Sequence, residues 1–192
     1  MIADRDRFWT LAESEHLKAR SFCRKLTGSR EDGEDLLQDS LVKAMTRFNE
    51  LRDPNAFRPW LYRIVINTFR SRVRRRWWGR VVPLTRQIRE TVAGDNPSDR
   101  NRAKRILEEA FKAVSPEERA MVTLFEMEGW SLKELAALYG KSTGSLKVRL
   151  SRIRAKMRKA LASNRPDAAK RGVIPELTSE VDICVASKSG TD

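Results

Sequence analysis

One histidine and two cysteines in 192 residues leave little with which to bind a transition metal or cross-link a small framework. Cys23 and Cys184 lie far apart in sequence, and His16 falls about two turns before Cys23 on an expected helix, so structural roles suit them better than catalysis. There is no Gly-rich phosphate loop and no nucleophile elbow. No window approaches the length of a spanning helix, and the opening MIADRDRFWT mixes acids with bases and lacks the apolar core of a signal peptide. These absences argue against an enzyme, a cofactor-bearing protein and membrane insertion, and they predict a cytoplasmic chain. Acidic residues are also missing where basic ones gather. From Arg58 to Arg89 there are ten arginines and no Asp or Glu, and from Lys141 to Leu161 eight basic residues and no acid.

What is present is positive charge and helical periodicity. The net charge of +13 and a pI near 10.3 make a polyanion the expected partner, nucleic acid ahead of an anionic membrane. An apolar content of 40% suffices for one domain or two small ones. The stretch FRPWLYRIVINTFRSRVRRRWW, from Phe57 to Trp78, carries both signals. As a helix it lines Leu61, Ile64, Val65, Phe69 and Val73 along one side and Arg63, Asn67, Arg70 and Arg74 along another. Phe57, Trp60, Tyr62, Phe69, Trp77 and Trp78 are interleaved with the guanidinium groups, a composition that suits phosphate contact combined with base stacking. A core helix with a solvated basic face explains the same pattern about as well.

The chain before it reads as helices. Phe8, Leu11, Leu17, Phe22, Cys23 and Leu26 predict an amphipathic helix ending near Gly28, with Ser29 as cap of the next. That second helix opens on a dense acidic turn, and its apolar positions are Leu36, Leu37, Leu41, Val42, Met45 and Phe48. Between Glu31 and Val42 there is no Lys or Arg, so Asp35, Gln38 and Asp39 mark either a solvated helix start or a docking face for a protein. Asn49 to Asn55 reads as a loop, and Pro59 fits the first turn that follows. Periodicity dissolves after Gly79, and residues 81–102 read as a flexible linker.

A second helical block starts near Ala103. SPEE from Ser115 sets a cap, a proline at the first helical position and an acidic first turn, for a helix ending at Gly129. SLKE from Ser131 forms a capping box, Gly140 breaks the chain, and Ser142 caps a basic helix with the apolar stripe Leu146, Leu150, Ile153, Met157 and Leu161. A short helix, a glycine turn and a long basic helix make a helix-turn-helix, although a helical hairpin with a basic exterior has the same outline. Ser142, Thr143 and Ser145 would let the helix end approach base edges, and Lys147, Arg149 and Arg152 would meet phosphates or guanine. Residues 163–192 change to small polar residues and prolines and read as a mobile tail, with VDICVA a short β-prone run.

GEDLLQDSLVKAM, NAFRPWLYRIVINTFRSRVRR and SPEERAMVTLFEMEGWSLKELAALYGKSTGSLKVRLSRIRAKM, in that order, resemble bacterial RNA polymerase sigma factors of the sigma-70 family, extracytoplasmic-function (ECF) subgroup. The resemblance spans roughly residues 5–162. It implies an all-α chain of two small helical domains, 1–80 and 103–162, joined by the linker 81–102, the second a helix-turn-helix domain of winged-helix-like type. It implies that Asp35, Leu36, Gln38, Asp39 and Val42 dock on the clamp helices of the largest subunit of core RNA polymerase. Arg58, Trp60, Arg63, Asn67, Arg70 and Arg74 would meet the minus-ten promoter DNA, with Asn67 at a flipped base, and Ser142, Thr143, Ser145, Lys147, Arg149 and Arg152 the minus-35 element. An anti-sigma factor is implied as a further partner. The turn before the basic helix lacks the proline often found there, and the tail exceeds the minimal two-domain form. The other reading is a stand-alone helix-turn-helix regulator of duplex operators, which has little use for the aromatic-rich segment.

Overall fold

The computed structural model describes residues 2–78 and 97–164, all of whose regular elements are helical. Most of the expected linker, the tail with VDICVA, and Cys184 lie outside the described residues. Helix α1 (Ile2–Thr27) buries Phe8, Ala12, Ala19, Phe22, Cys23 and Leu26, which recur on one face. Leu17 does not belong with them. It lies half a revolution from Phe8 on the helical wheel and is 75% exposed.

Helix α2 (Arg30–Thr46) starts where the Ser29 hydroxyl accepts the Asp32 amide at 3.2 Å. It lies so close to α1 that a Cβ on Gly33 would stand 2.7 Å from the Arg24 Cα. Glu34 ties the pair together, its Oε1 accepting from the Nε of Arg20 at 2.7 Å and of Arg24 at 2.8 Å. The Arg20 hydrogen bond leads in holding that carboxyl below the usual range, against a desolvation that pushes it up. The expected loop contains two 3₁₀ turns, Phe48–Glu50 and Pro54–Ala56, and Phe48 turns inward edge-on to Phe8 at 5.4 Å between ring centroids.

Helix α3 (Phe57–Trp78) buries Leu61, Ile64, Val65 and Phe69 as its periodicity predicts, but also Phe57, Tyr62, Ile66 and Thr68. The extra burial has a simple cause. One flank of α3 packs on α1 and α2, the other on helices α5 and α6 of the second half.

The second half begins with α4 (Pro97–Lys112), which starts at a proline tolerated at the first helical position, earlier than the expected Ala103. Helix α5 (Pro116–Val122) has a full capping box between Ser115 and Glu118. It passes into a π-helical turn, Thr123–Met127, rather than continuing as α-helix to Gly129. Helix α6 (Leu132–Tyr139) has the second capping box, Ser131 with Glu134, and ends on Gly140 at φ 62°. Helix α7 (Thr143–Asn164) buries Leu146, Leu150 and Ile153 against its neighbours, with Met157 partly covered. No strand occurs among the described residues, so the likeness to winged helices is confined to the helical part.

Gly33 and Gly140 serve the fold in different ways. Gly33→Ala forces a backbone contact apart and is expected to cost about 1–3 kcal/mol, whereas Gly140→Ala meets open space and bears only left-handed strain, about 1–2 kcal/mol. Urea unfolding of the two variants measures both, with Gly33→Ala the less stable.

Candidate protein and nucleic-acid interfaces

Helix α2 turns Asp35, Gln38 and Val42 outward, because they lie opposite the buried line of Gly33, Leu37, Ser40 and Ala44. Val42 is 54% exposed and Met45, which joins it on the outer side, 39%. Leu36 is a correction. It is fully buried against α1 and α3 and offers nothing to a partner. Asp39 is half-buried and engaged, its Oδ2 accepting from the Nε of Arg72 at 3.1 Å, while Arg72 also donates to the Asp35 carbonyl at 2.9 Å. The absence of basic residues from Glu31 to Val42 therefore does not leave Asp39 uncompensated, since α3 supplies the cation across the helix pair.

The outer side of α3 presents Asn67 and Arg74 to solvent, with Arg75 beside them. The other members of the expected DNA face have neighbours within the chain, although Arg63 and Arg70 are themselves exposed. Arg58 lies over the Trp130 ring at 4.5 Å, its Nη1 2.6 Å from Glu134 Oε1 and its Nε 3.6 Å from Glu15. Arg63 donates to the Leu138 carbonyl, from Nε at 3.1 Å, and Arg70 faces Glu117 at 3.8 Å. Trp60 is half-buried between Phe48 and Phe57. The expectation of an aromatic platform is corrected as well: Phe57, Tyr62 and Phe69 are core residues, Tyr62 resting on Phe22 and on Trp130. Periodicity could not separate the two roles because α3 is covered on two flanks. Trp77 and Trp78 lie outside the residues whose side chains are described.

In the helix-turn-helix, the Glu134 carboxyl sits below its usual range. Burial pushes it up, but the Ser131 amide and hydroxyl and the Arg58 guanidinium outweigh that. The Ser142 hydroxyl accepts the Ser145 amide at 3.3 Å, and Ser142, Thr143, Ser145, Lys147 and Arg152 are exposed at the start of α7. Arg149 is half-buried with its Nη2 3.1 Å from Glu117 Oε1, a partner the sequence did not suggest. Glu118 receives Lys156 at 2.6 Å; its carboxyl is lowered although burial opposes it. A shallow groove lined by Ser145, Val148, Arg149, Arg152, Glu118 and Lys156 runs along this side. Val148 is 51% exposed in it and was missed, although its place off the stripe of Leu146, Leu150 and Ile153 is visible in the sequence.

Two family models match the chain, Sigma-70 region 2 over residues 11–79 and Sigma-70 region 4 over residues 104–157. The RNA polymerase sigma-E factor of Streptomyces avermitilis is 32% identical over 149 residues, covering 76% of this chain and 79% of that protein. This protein belongs to the sigma-70 family, ECF group. The ECF RNA polymerase sigma factor SigE of Mycolicibacterium smegmatis is likewise 32% identical over 150 residues, or 76% of this chain, which spans only 58% of that longer relative. Among solved structures, the sigma factor RpoE of Bartonella quintana, in complex with the anti-sigma factor NepR, superposes with a TM-score of 0.61 at 25% identity. That match covers 80% of this chain and 96% of RpoE. CnrH, in complex with the cytosolic domain of CnrY, gives 0.57 at 25% identity, covering 81% and 88%. In this sigma factor α1–α3 thus fall in region 2, and α4–α7 fall in region 4 but for their outer ends. No described helix is long and apolar enough to cross a membrane.

Burial divides the α2 residues into two kinds. Leu36→Ala is expected to lower stability by about 2–5 kcal/mol, and Val42→Ala to leave it within about 0.5 kcal/mol; thermal unfolding followed by circular dichroism distinguishes them.

Proposed function

We propose that this sigma factor directs core RNA polymerase to a set of promoters and assists DNA melting there. The observation that carries the reading is the outward strip of Asp35, Gln38, Val42 and Met45 on α2, acidic and apolar, in a chain that also presents Asn67 on α3 and a basic helix-turn-helix. A regulator that only grips duplex DNA has no use for such a strip, whereas a specificity subunit must hold a second protein. The strip would dock on the clamp helices of the largest subunit, with Leu36 supporting it from beneath. Asn67, with Arg70 and Arg74, would receive the minus-ten strand, where holding an extruded base offsets part of the cost of unstacking. Ser142, Thr143, Ser145, Lys147, Arg149 and Arg152 would enter the major groove of the minus-35 element, and Val148 would lie against a thymine methyl.

The chain itself makes and breaks no covalent bond in this scheme, since nucleotide addition belongs to the polymerase. It works in the cytoplasm, where that enzyme is. An anti-sigma factor is a further partner on this reading, supported by the complexes in which RpoE and CnrH were solved. Positive charge supplies sequence-independent affinity, and the edge contacts of α7 supply choice.

Core polymerase mixed with the full chain is expected to give discrete transcripts from a genomic template, and DNA binding without any change in start-site selection refutes the proposal. Val42→Asp is expected to weaken association with core at least tenfold with unchanged melting temperature, while Asp39→Arg loses both because it also breaks the Arg72 contact. If Arg152 reads a base, Arg152→Ala costs about 1–3 kcal/mol on the cognate duplex and little on a scrambled one; a phosphate contact instead lowers the salt slope by about 0.9 on both. Fluorescence anisotropy across a salt series separates the two.

A further inference from the structure

The basic residues of α7 are not equivalent. Lys147 and Arg152 are exposed and, among the described residues, meet no carboxylate, whereas Arg149, Arg154 and Lys156 each meet one brought by α5 or the π-helical turn. Arg149 Nη2 lies 3.1 Å from Glu117 Oε1, Lys156 Nζ lies 2.6 Å from Glu118 Oε1, and Arg154 donates from Nε to Glu126 at 2.8 Å. Of these three cations only Arg149 falls within the first two turns of the helix, on the groove face with Ser145, Val148 and Arg152. The Glu117 carboxylate thus acts on a residue assigned to the minus-35 bases.

Glu117 is itself held in place. It sits in the first turn of α5 next to Glu118, whose Oε2 accepts the Ser115 amide at 2.9 Å while the Ser115 hydroxyl accepts the Glu118 amide at 3.2 Å. Because Glu118 also grips Lys156, α5 meets α7 at two rungs, and a rotation of that turn breaks both. The side chains of Glu117 and Arg149 are 31% and 37% exposed, so the guanidinium keeps one side open to the groove. Glu117 Oε2 also faces Arg70 across the seam between α3 and α5, at 3.8 Å the longer of its two contacts.

We infer that Glu117 is a positioning residue for promoter choice: it aims the Arg149 guanidinium at a guanine edge in the major groove of the minus-35 element and withholds it from the phosphates. A guanidinium carries five N–H donors, and a contact through Nη2 leaves the two that guanine O6 and N7 accept. A side chain already held in one arrangement loses less freedom on binding than one that must be ordered. The carboxylate also offsets the attraction of Arg149 for phosphates, which favours every sequence alike, and so raises the share of its binding that depends on the base. The inference rests on the proposed function for the identity of the α7 surface.

In the test the full chain first selects its preferred duplex from a randomised pool. Fluorescence anisotropy then measures affinity for that duplex, for its single-base-pair substitutions and for a scrambled one. Arg149→Ala is expected to erase a preference of about five- to 150-fold at one base pair. Glu117→Gln is expected to relax the preference at that same base pair by about two- to fivefold, the range of a partly exposed ion pair, and to leave affinity for the scrambled duplex unchanged or higher. In the Arg149→Ala background it is expected to change the preference no further. A helix start merely weakened by the substitution lowers affinity for all duplexes alike, and that result overturns the inference. Equal losses on every duplex for Arg149→Ala overturn it too, as does a preference that Glu117→Gln relaxes equally with and without Arg149. A wild-type chain that enriches no sequence sinks the reading of α7 as a promoter reader and the inference with it, whereas an enriched sequence whose discrimination survives Glu117→Gln overturns the role of Glu117 alone.

Discussion

The double-sided burial of α3 is the constraint on which the remaining structure depends. Tyr62 is covered by Phe22 of α1 on one flank and by Trp130 of region 4 on the other, so the same helix closes the region 2 core and provides the seat for the second half. Aromatic burial of this size outweighs any surface ion pair. The arginines around it are therefore positioned by packing, and their salt bridges follow from where the rings place them.

That ordering explains why much of the charge on the arginine-rich helix is compensated from within the chain. Each arginine near the seam meets an acid or a carbonyl brought by another element, while Arg63 and Arg70 stay exposed on the same side of the helix as Asn67 and Arg74. The acids that meet them are in turn held by local chemistry. Glu134 is fixed by its capping box before it reaches Arg58, and Glu117 sits in the acidic first turn that α5 needs for its own start.

Much of the fold was legible because the signals were local. Ser29, Ser115 and Ser131 cap the helices they were expected to cap, Gly140 ends α6 in the left-handed region, and Leu146, Leu150 and Ile153 form the buried stripe of α7. What was not legible depends on which elements meet. Leu36 and Val42 are both apolar on one amphipathic helix, and only the placement of α1 and α3 decides that the first is core and the second surface. Leu17 fitted a loose periodic reading but fails a strict helical wheel. The π-helical turn at Thr123–Met127 has no signature in its residues, since TLFEM would serve as ordinary α-helix. The partners of Arg58, Arg63 and Arg149 come from residues between 32 and 76 positions away, which no local pattern encodes.

Cys23 lies at the bottom of the α1–α2–α3 core with no exposed surface, and burial lifts its thiol to about 12, with Glu34 adding to the rise. Peroxides and disulfides react with thiolates, and at cellular pH almost none forms at this sulfur. The region 2 core therefore offers oxidants no reactive thiol at Cys23, and the sulfur serves there as a small apolar packing group.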